Sequence, residues 1–220
     1  MTNKTKVLNV GDKIETNSFG DLIILEKIDW SKVKVKFIQT GYITFATAQS
    51  IQKGNVKDKL LPIIFGVGFI GDGEFMSYSK TGGTESSYIT WANMIKRCYS
   101  KEQQIKQPSY VGCTVCDEWH NYQNFARWFS ENKKPNTVLD KDIILDGNKV
   151  YSPEFCSFVS PSKNIEKAHA KRYKFISPQG ELNEIYNLRD FCKKRGLNQS
   201  SMCQVNKGRF SQHKGWRASQ

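Results

Sequence analysis

Residues 31–38 alternate without a break: Val33, Val35 and Phe37 fall on one side of the chain, Lys32, Lys34 and Lys36 on the other. Successive side chains of a strand point to opposite faces. A period of two in β-branched and aromatic residues is therefore the pattern of a half-buried strand. The apolar run over residues 21–27 predicts a second strand, joined to the first through a turn at Ile28, Asp29 and Trp30. Residues 1–80 are accordingly expected to form a small antiparallel β module. Its lysine-bearing face is either a solvated surface or a DNA contact. The glycine-rich segment from Gly66 to Gly73 lacks the Gly-Lys-Ser/Thr ending and following helix of a phosphate loop, so it predicts no nucleotide site.

The charge points to the partner. The 220 residues hold 33 basic and 21 acidic side chains, a formal charge of +12, which suits a polyanion. The excess is concentrated at one end. Residues 165–220 carry 12 basic and 4 acidic residues, against 10 and 9 over residues 81–164. No segment approaches the roughly 18 apolar residues of a membrane span, since Pro62, Gly66 and Gly68 interrupt the longest run. The first six residues lack the apolar core of a signal peptide. A cytoplasmic, nucleic-acid-binding protein with no membrane partner is the expectation. In that reducing compartment the six cysteines are metal ligands or core thiols before they are disulfides.

From Ser86 onward the period changes. Tyr88, Trp91, Met94 and Ile95 recur at helical spacing up to about Tyr99, followed by a polar loop. A second amphipathic helix, about residues 121–131, presents Tyr122, Phe125, Trp128 and Phe129 to a core. Near the end, residues 174–185 predict a hairpin around Pro178, Gln179 and Gly180. Asn187 caps a helix that stops at Gly196, and a second helix follows over about residues 199–207. Two short helices joined by a glycine-containing turn make a helix-turn-helix unit.

In that unit Lys193, Lys194 and Arg195 are suited to phosphate, while Asn198, Gln199, Ser200, Ser201 and Gln204 carry groups that pair with base edges. Lys171, Arg172, Lys207, Arg209 and Lys214 complete the expected DNA-binding set.

The blocks Tyr88-x-x-Trp91-x-x-Met94-x-x-Arg97-Cys98-Tyr99, Gly112-x-x-Val115-Cys116-Asp117-Glu118-Trp119 and Asn124-Phe125 occur in order. They are followed by Leu139-Asp140-Lys141-Asp142, Gly147-Asn148-x-x-Tyr151-Ser152-Pro153-Glu154-x-Cys156 and Asn164. Over about 80 residues this resembles a group of phage and bacterial HNH-like (ββα-metal) endonucleases. Residues 173–216, through Pro178, Gly180, Asn187-Leu188, Phe191-Cys192, Gly208 and 213–216, resemble the modular helix-turn-helix repeats appended to phage homing endonucleases.

The resemblance implies a hairpin over about residues 138–158 and a helix from about Ser160-Pro161, together gripping one divalent cation, Mg²⁺ or Mn²⁺. Asp140 and Asp142, on one face of the first strand, and Asn164 are its expected ligands, and with Lys141 they make up the expected catalytic set. Three positions depart from the pattern. Lys141 stands where the base-providing histidine is expected, Phe155 where the middle asparagine is, and Asn164 where the closing histidine is. A lysine of ordinary pKa is a poor base. Asp140, Asp142, Tyr151 or a metal-bound hydroxide are the alternatives. His169 lies five residues beyond Asn164, and His120 precedes the aromatic helix.

Cys113-x-x-Cys116 forms a knuckle which, with Cys98 and Cys156, either completes a structural Zn²⁺ site or supplies four buried thiols. Cys192 and Cys203 fall at apolar positions of the helix pair.

The expected fold class is α+β: a β-rich module over residues 1–80, an HNH-like nuclease domain over 81–170 and a helix-turn-helix module over 171–220. The expected activity is metal-dependent hydrolysis of double-stranded DNA by a phage-encoded protein in its host cell. A monomer would nick and a homodimer would cut both strands. The competing readings are a DNA-binding protein that has lost catalysis on this scaffold, and a phage structural or host-interaction protein.

Overall fold

The computed structural model describes residues 7–79, 81–162 and 172–219. The chain is mixed α and β, and its larger sheets are antiparallel. It divides into two compact units, residues 1–135 with 139–158 and residues 136–138 with 159–220. None of the described helices is long and apolar enough to cross a membrane.

In the first unit, β1 (Lys13–Glu15), β2 (Asp21–Lys27), β3 (Val33–Phe37) and β4 (Ile43–Ala46) form an antiparallel meander in chain order. The alternation of residues 31–38 is used as predicted. Val33, Val35 and Phe37 are fully buried with Leu22, Ile24 and Ile51, the last from the short helix α1 (Ala48–Gln52). A bulge between Ile24 and Glu26 shifts the register of β2, which leaves Leu25 partly exposed. At the β2–β3 turn, the Asp29 carboxylate accepts from the Ser31 and Lys32 backbone amides. These bonds, led by the Ser31 hydroxyl, hold the carboxyl below its ordinary value.

A second core lies between α2 (Ser86–Tyr99) and α4 (Tyr122–Asn132). Trp91, Met94, Ile95 and Cys98 line the buried stripe of α2, and Tyr122, Phe125 and Phe129 that of α4. Trp91 donates its indole N–H to the Trp119 carbonyl at 2.7 Å, which satisfies its one polar atom inside the core. Between the helices the expected polar loop contains a further helix, α3 (Lys101–Lys106), because Ser100 caps it by accepting from the Gln103 amide.

The glycine-rich segment packs on this second core through Ile70, and Ile64 just before it packs there too. A side chain at Gly71 would place its Cβ 2.0 Å from Asn121 Oδ1, so only glycine permits the approach. The Gln123 amide then ties the segment down by donating to the Ile70 and Phe75 carbonyls.

Four short strands complete this part of the chain: β5 (Thr114–Val115), β6 (Val138–Asp140), β7 (Val150–Tyr151) and β8 (Ser157–Val159). β6 pairs with β8, whereas β7 pairs in parallel with β5.

In the second unit, β9 (Tyr173–Ile176) lies between β10 (Leu182–Ile185) and β11 (Arg217–Ala218), both antiparallel to it. The β9–β10 hairpin turns at residues 177–181, as the Pro-Gln-Gly signal predicts. Helices α5 (Leu188–Arg195) and α6 (Gln199–Asn206) bury Leu188, Cys192, Met202 and Val205 with Phe175, Ile185 and Trp216. Asn187 caps α5 through the Asp190 amide, and Gly196 ends it in the left-handed conformation at φ 62°. Strand β11 is absent from the sequence-based expectation. Its two residues show no periodicity, and its partner β9 lies about forty positions earlier.

Candidate functional site

The pairing of β6 with β8 brings together the two ends of the expected hairpin. The segment between them leaves that ribbon, and its residues Val150 and Tyr151 join β5 instead. Pro161 and Ser162 are helical, in line with a helix starting after Ser160. Asn164, His169 and Lys171 lie outside the described residues.

The sequence places Asp140 and Asp142 on one strand face. The strand instead ends at Asp140, and the chain turns so that the Asp142 amide donates to Asp140 Oδ1 at 2.9 Å. This local turn, in which an aspartate caps the amide two residues on, brings the carboxyls together by a different route. Asp140 is buried, and burial is the main cause holding its carboxyl above the ordinary value. The Asp142 amide opposes this shift, and the Ile143 amide with it, while the Asp142 carboxyl pushes the same way as burial. Two oxygen donors at one point are the chemistry a hard divalent cation takes.

Lys141 turns inward beside them. It is 9% exposed, and its ammonium donates to the Asn148 carbonyl at 2.6 Å and to Asp142 Oδ2 at 3.1 Å. Asn148 returns the contact, its Nδ2 donating to the Lys141 carbonyl at 2.7 Å and to the Val150 carbonyl at 2.6 Å. This exchange closes the 141–148 loop, with Gly147 at φ 76° making the bend. Asn148→Ala would strand both carbonyls, while the Lys141 ammonium keeps its bond to the backbone carbonyl at 148. The substitution is expected to cost about 2 kcal/mol, within the range for unsatisfied buried polar groups. The measurement is the urea midpoint at unchanged slope.

The other candidate bases are engaged or suppressed. Burial raises the Tyr151 phenol far above its ordinary value, against the pull of the neighbouring Arg97 charge. Arg97 has no role in the sequence-based expectation beyond its place in the first motif block. In the structure it also stacks over the Tyr110 ring at 5.5 Å. His120 Nε2 lies 3.1 Å from the Val115 carbonyl and 3.3 Å from the Tyr99 hydroxyl, a packing role.

Among the described residues, no three His, Cys, Asp or Glu side chains gather to hold a metal ion. The structure does not gather the Cys98, Cys113, Cys116 and Cys156 thiols, expected as a zinc site, into one such cluster. Cys98, Cys113 and Cys156 are buried members of the aromatic core, which also takes in the partly buried Cys116. Burial pushes the Cys98 and Cys156 thiols up to about 12.

No protein-family model matches the chain, and no curated protein matches it. A solved structure similar to part of it is that of the HNH homing endonuclease I-HmuI, described by its DNA binding and cleavage. The two share 21% identity over 40% of this chain and 62% of that one, less than two thirds of its length, with a TM-score of 0.23. That score establishes no common fold, so the chemistry rests on the residues themselves.

In the second unit the expected reader residues divide. The Asn198 side chain is committed to capping α6 through the Ser201 amide. Arg195 packs over Phe191 and Trp216 at 4.8 and 5.2 Å, and Lys194 pairs with Asp190 at 2.7 Å. Lys214 reaches back to the Gly196 carbonyl at 2.8 Å, and Arg209 to Gln204 at 3.4 Å. Arg172, Lys193, Gln199, Ser200 and Lys207 are exposed, and Ser201 and Gln204 half-buried. The turn between α5 and α6 is the three residues Gly196, Leu197 and Asn198.

Proposed function

We propose that the chain is a divalent-metal-dependent DNA endonuclease of the HNH type, with α5 and α6 reading the duplex. The observation that carries this is the Asp140–Asp142 carboxyl pair, held at the mouth of the β6–β8 ribbon by the Lys141–Asn148 brace. Asp140 and Asp142 would hold the cation. When bound, it neutralises charge building on the scissile phosphate and leaving oxygen. Lys141 fixes the Asp142 carboxylate in place and offsets part of the repulsion between the two acids. The exposed cation Lys193 suits phosphate, and Gln199 and Ser200 on the first turn of α6 suit base edges.

A second reading is a DNA-binding protein without catalysis. It is favoured by Lys141, whose ammonium is spent on Asn148 and Asp142 at the position where a base is expected.

The deciding experiment incubates the protein with phage and host genomic DNA in Mg²⁺ or Mn²⁺. The wild type should cleave. Asp140→Asn should lose about a hundredfold in rate, the upper end of what mutating even an outer-shell partner of a metal costs, while its affinity for DNA holds. Asp142→Asn and Asn164→Ala extend the test to the other expected ligands. Intact DNA from a folded, tightly binding wild type would establish the second reading.

A further inference from the structure

The N-terminal sheet has a core of its own and a second face that this core does not use. On that face Lys34 stands opposite Phe45 and Lys36 opposite Ile43 across β3 and β4. The Lys32 ammonium lies 5.1 Å over the Phe45 ring. Phe45 and Ile43 remain 50% and 48% exposed, and Trp30, at the β2–β3 turn beside Lys32, is 76% exposed. An exposed phenyl set among lysines on a sheet face is costly to leave in water. It is the arrangement that stacks a base while a neighbouring ammonium meets the phosphate.

We propose that this face of the β1–β4 sheet binds single-stranded DNA. Charge selects a polyanion. β3 contributes Lys34 and Lys36 and no acid, β4 carries no charge, and Asp21 on β2 is already paired with Lys13 at 3.0 Å. Glu26, opposite Lys34, is the one acid set against these lysines in the strand register. The exposed rings select single strands over duplex, because only unpaired bases offer their flat faces for stacking. The nuclease reading concerns Asp140 and the second unit, so this surface stands or falls separately.

The probe is a labelled oligothymidylate of roughly 12 nucleotides, within the span such surfaces cover, titrated into the full chain by anisotropy. Phe45→Ala should weaken binding about tenfold, the loss of one stacked base. Replacing Lys32, Lys34 and Lys36 together by glutamine should flatten the salt dependence by about 2 logarithmic units per decade, about 0.7 per single-strand phosphate contact. Trp30 emission should quench on binding in the wild type and not in Trp30→Phe. Duplex affinity should be unchanged in every variant, and circular dichroism with a melting curve confirms that these surface changes leave the fold intact. Equal oligothymidylate affinity in wild type and Phe45→Ala would overturn the proposal. So would no binding by the wild type, a parallel loss of duplex affinity, or stronger binding of an acidic peptide. Failure of the nuclease reading would show instead as uncut DNA with the Phe45 effect intact.

Discussion

Trp91→Ala is expected to destabilise the first unit by about 3–5 kcal/mol, the range for deleting a buried tryptophan. Trp91 is fully buried, packs against Tyr88 and Tyr122, and donates its N–H to the Trp119 carbonyl. The glycine-rich segment also rests on it: a Cβ at Gly68 would lie 2.9 Å from the indole. Truncation therefore leaves a large cavity, strips a buried carbonyl of its donor and removes the floor under residues 64–71. Small domains hold about 5–15 kcal/mol in total, so most of this unit's margin would go. Urea denaturation followed by far-ultraviolet circular dichroism measures the change. Trp91→Phe should recover part of the loss by filling space without restoring the hydrogen bond. A Trp91→Ala midpoint within about 1 kcal/mol of wild type would mean that the α2–α4 core is not packed as described.

The second large effect is alkaline instability. Burial lifts the Cys98 and Cys156 thiols from 9.0 to about 12. Neighbouring Cys113 adds to the shift at Cys98 and Cys116 to that at Cys156, while the Lys141 charge works against it at both. The folded value lies above the unfolded one, so unfolding releases a proton once pH exceeds the unfolded pKa. Stability is intact below about pH 9 and falls as pH rises toward 12, by about 1.4 kcal/mol per pH unit per thiol. A Cys98→Ala, Cys156→Ala double variant should start less stable at pH 8 and lose less between pH 9 and 11. Iodoacetamide at pH 8 should leave both thiols unlabelled in the native protein and label them after unfolding. Parallel pH profiles for wild type and double variant, or rapid native labelling of Cys156, would contradict the burial described.

Elements whose signals are local were legible. The alternation over residues 31–38 marks a strand and its buried face, because the pleat converts spacing directly into sidedness. Asn187 and Gly196 delimit α5, because an asparagine cap and a left-handed glycine act within one turn of chain. The aromatic spacing of residues 122–129 predicts α4 and its core face for the same reason.

The site was legible only in its ingredients. Asp140 and Asp142, the expected ligands, come together through a turn that the strand pattern does not suggest. The cysteines at 98, 113, 116 and 156 have the spacing of a zinc knuckle and its partners. Spacing says nothing of what surrounds a thiol, and here all four lie in or against the aromatic core.

The sequence by itself determined the strands over residues 21–27 and 31–38, the helices α2, α4, α5 and α6 with their apolar faces, and which end of the chain carries the positive charge. These follow from backbone sterics, side-chain periodicity and counting. Tertiary structure alone decided that β6 pairs with β8 while β7 leaves to join β5, that Lys141 is buried against Asn148, and that β11 closes on β9. Each joins segments separated along the chain. The energy that selects such a pairing comes from burial and hydrogen bonds formed only once the segments meet, and no local pattern records it.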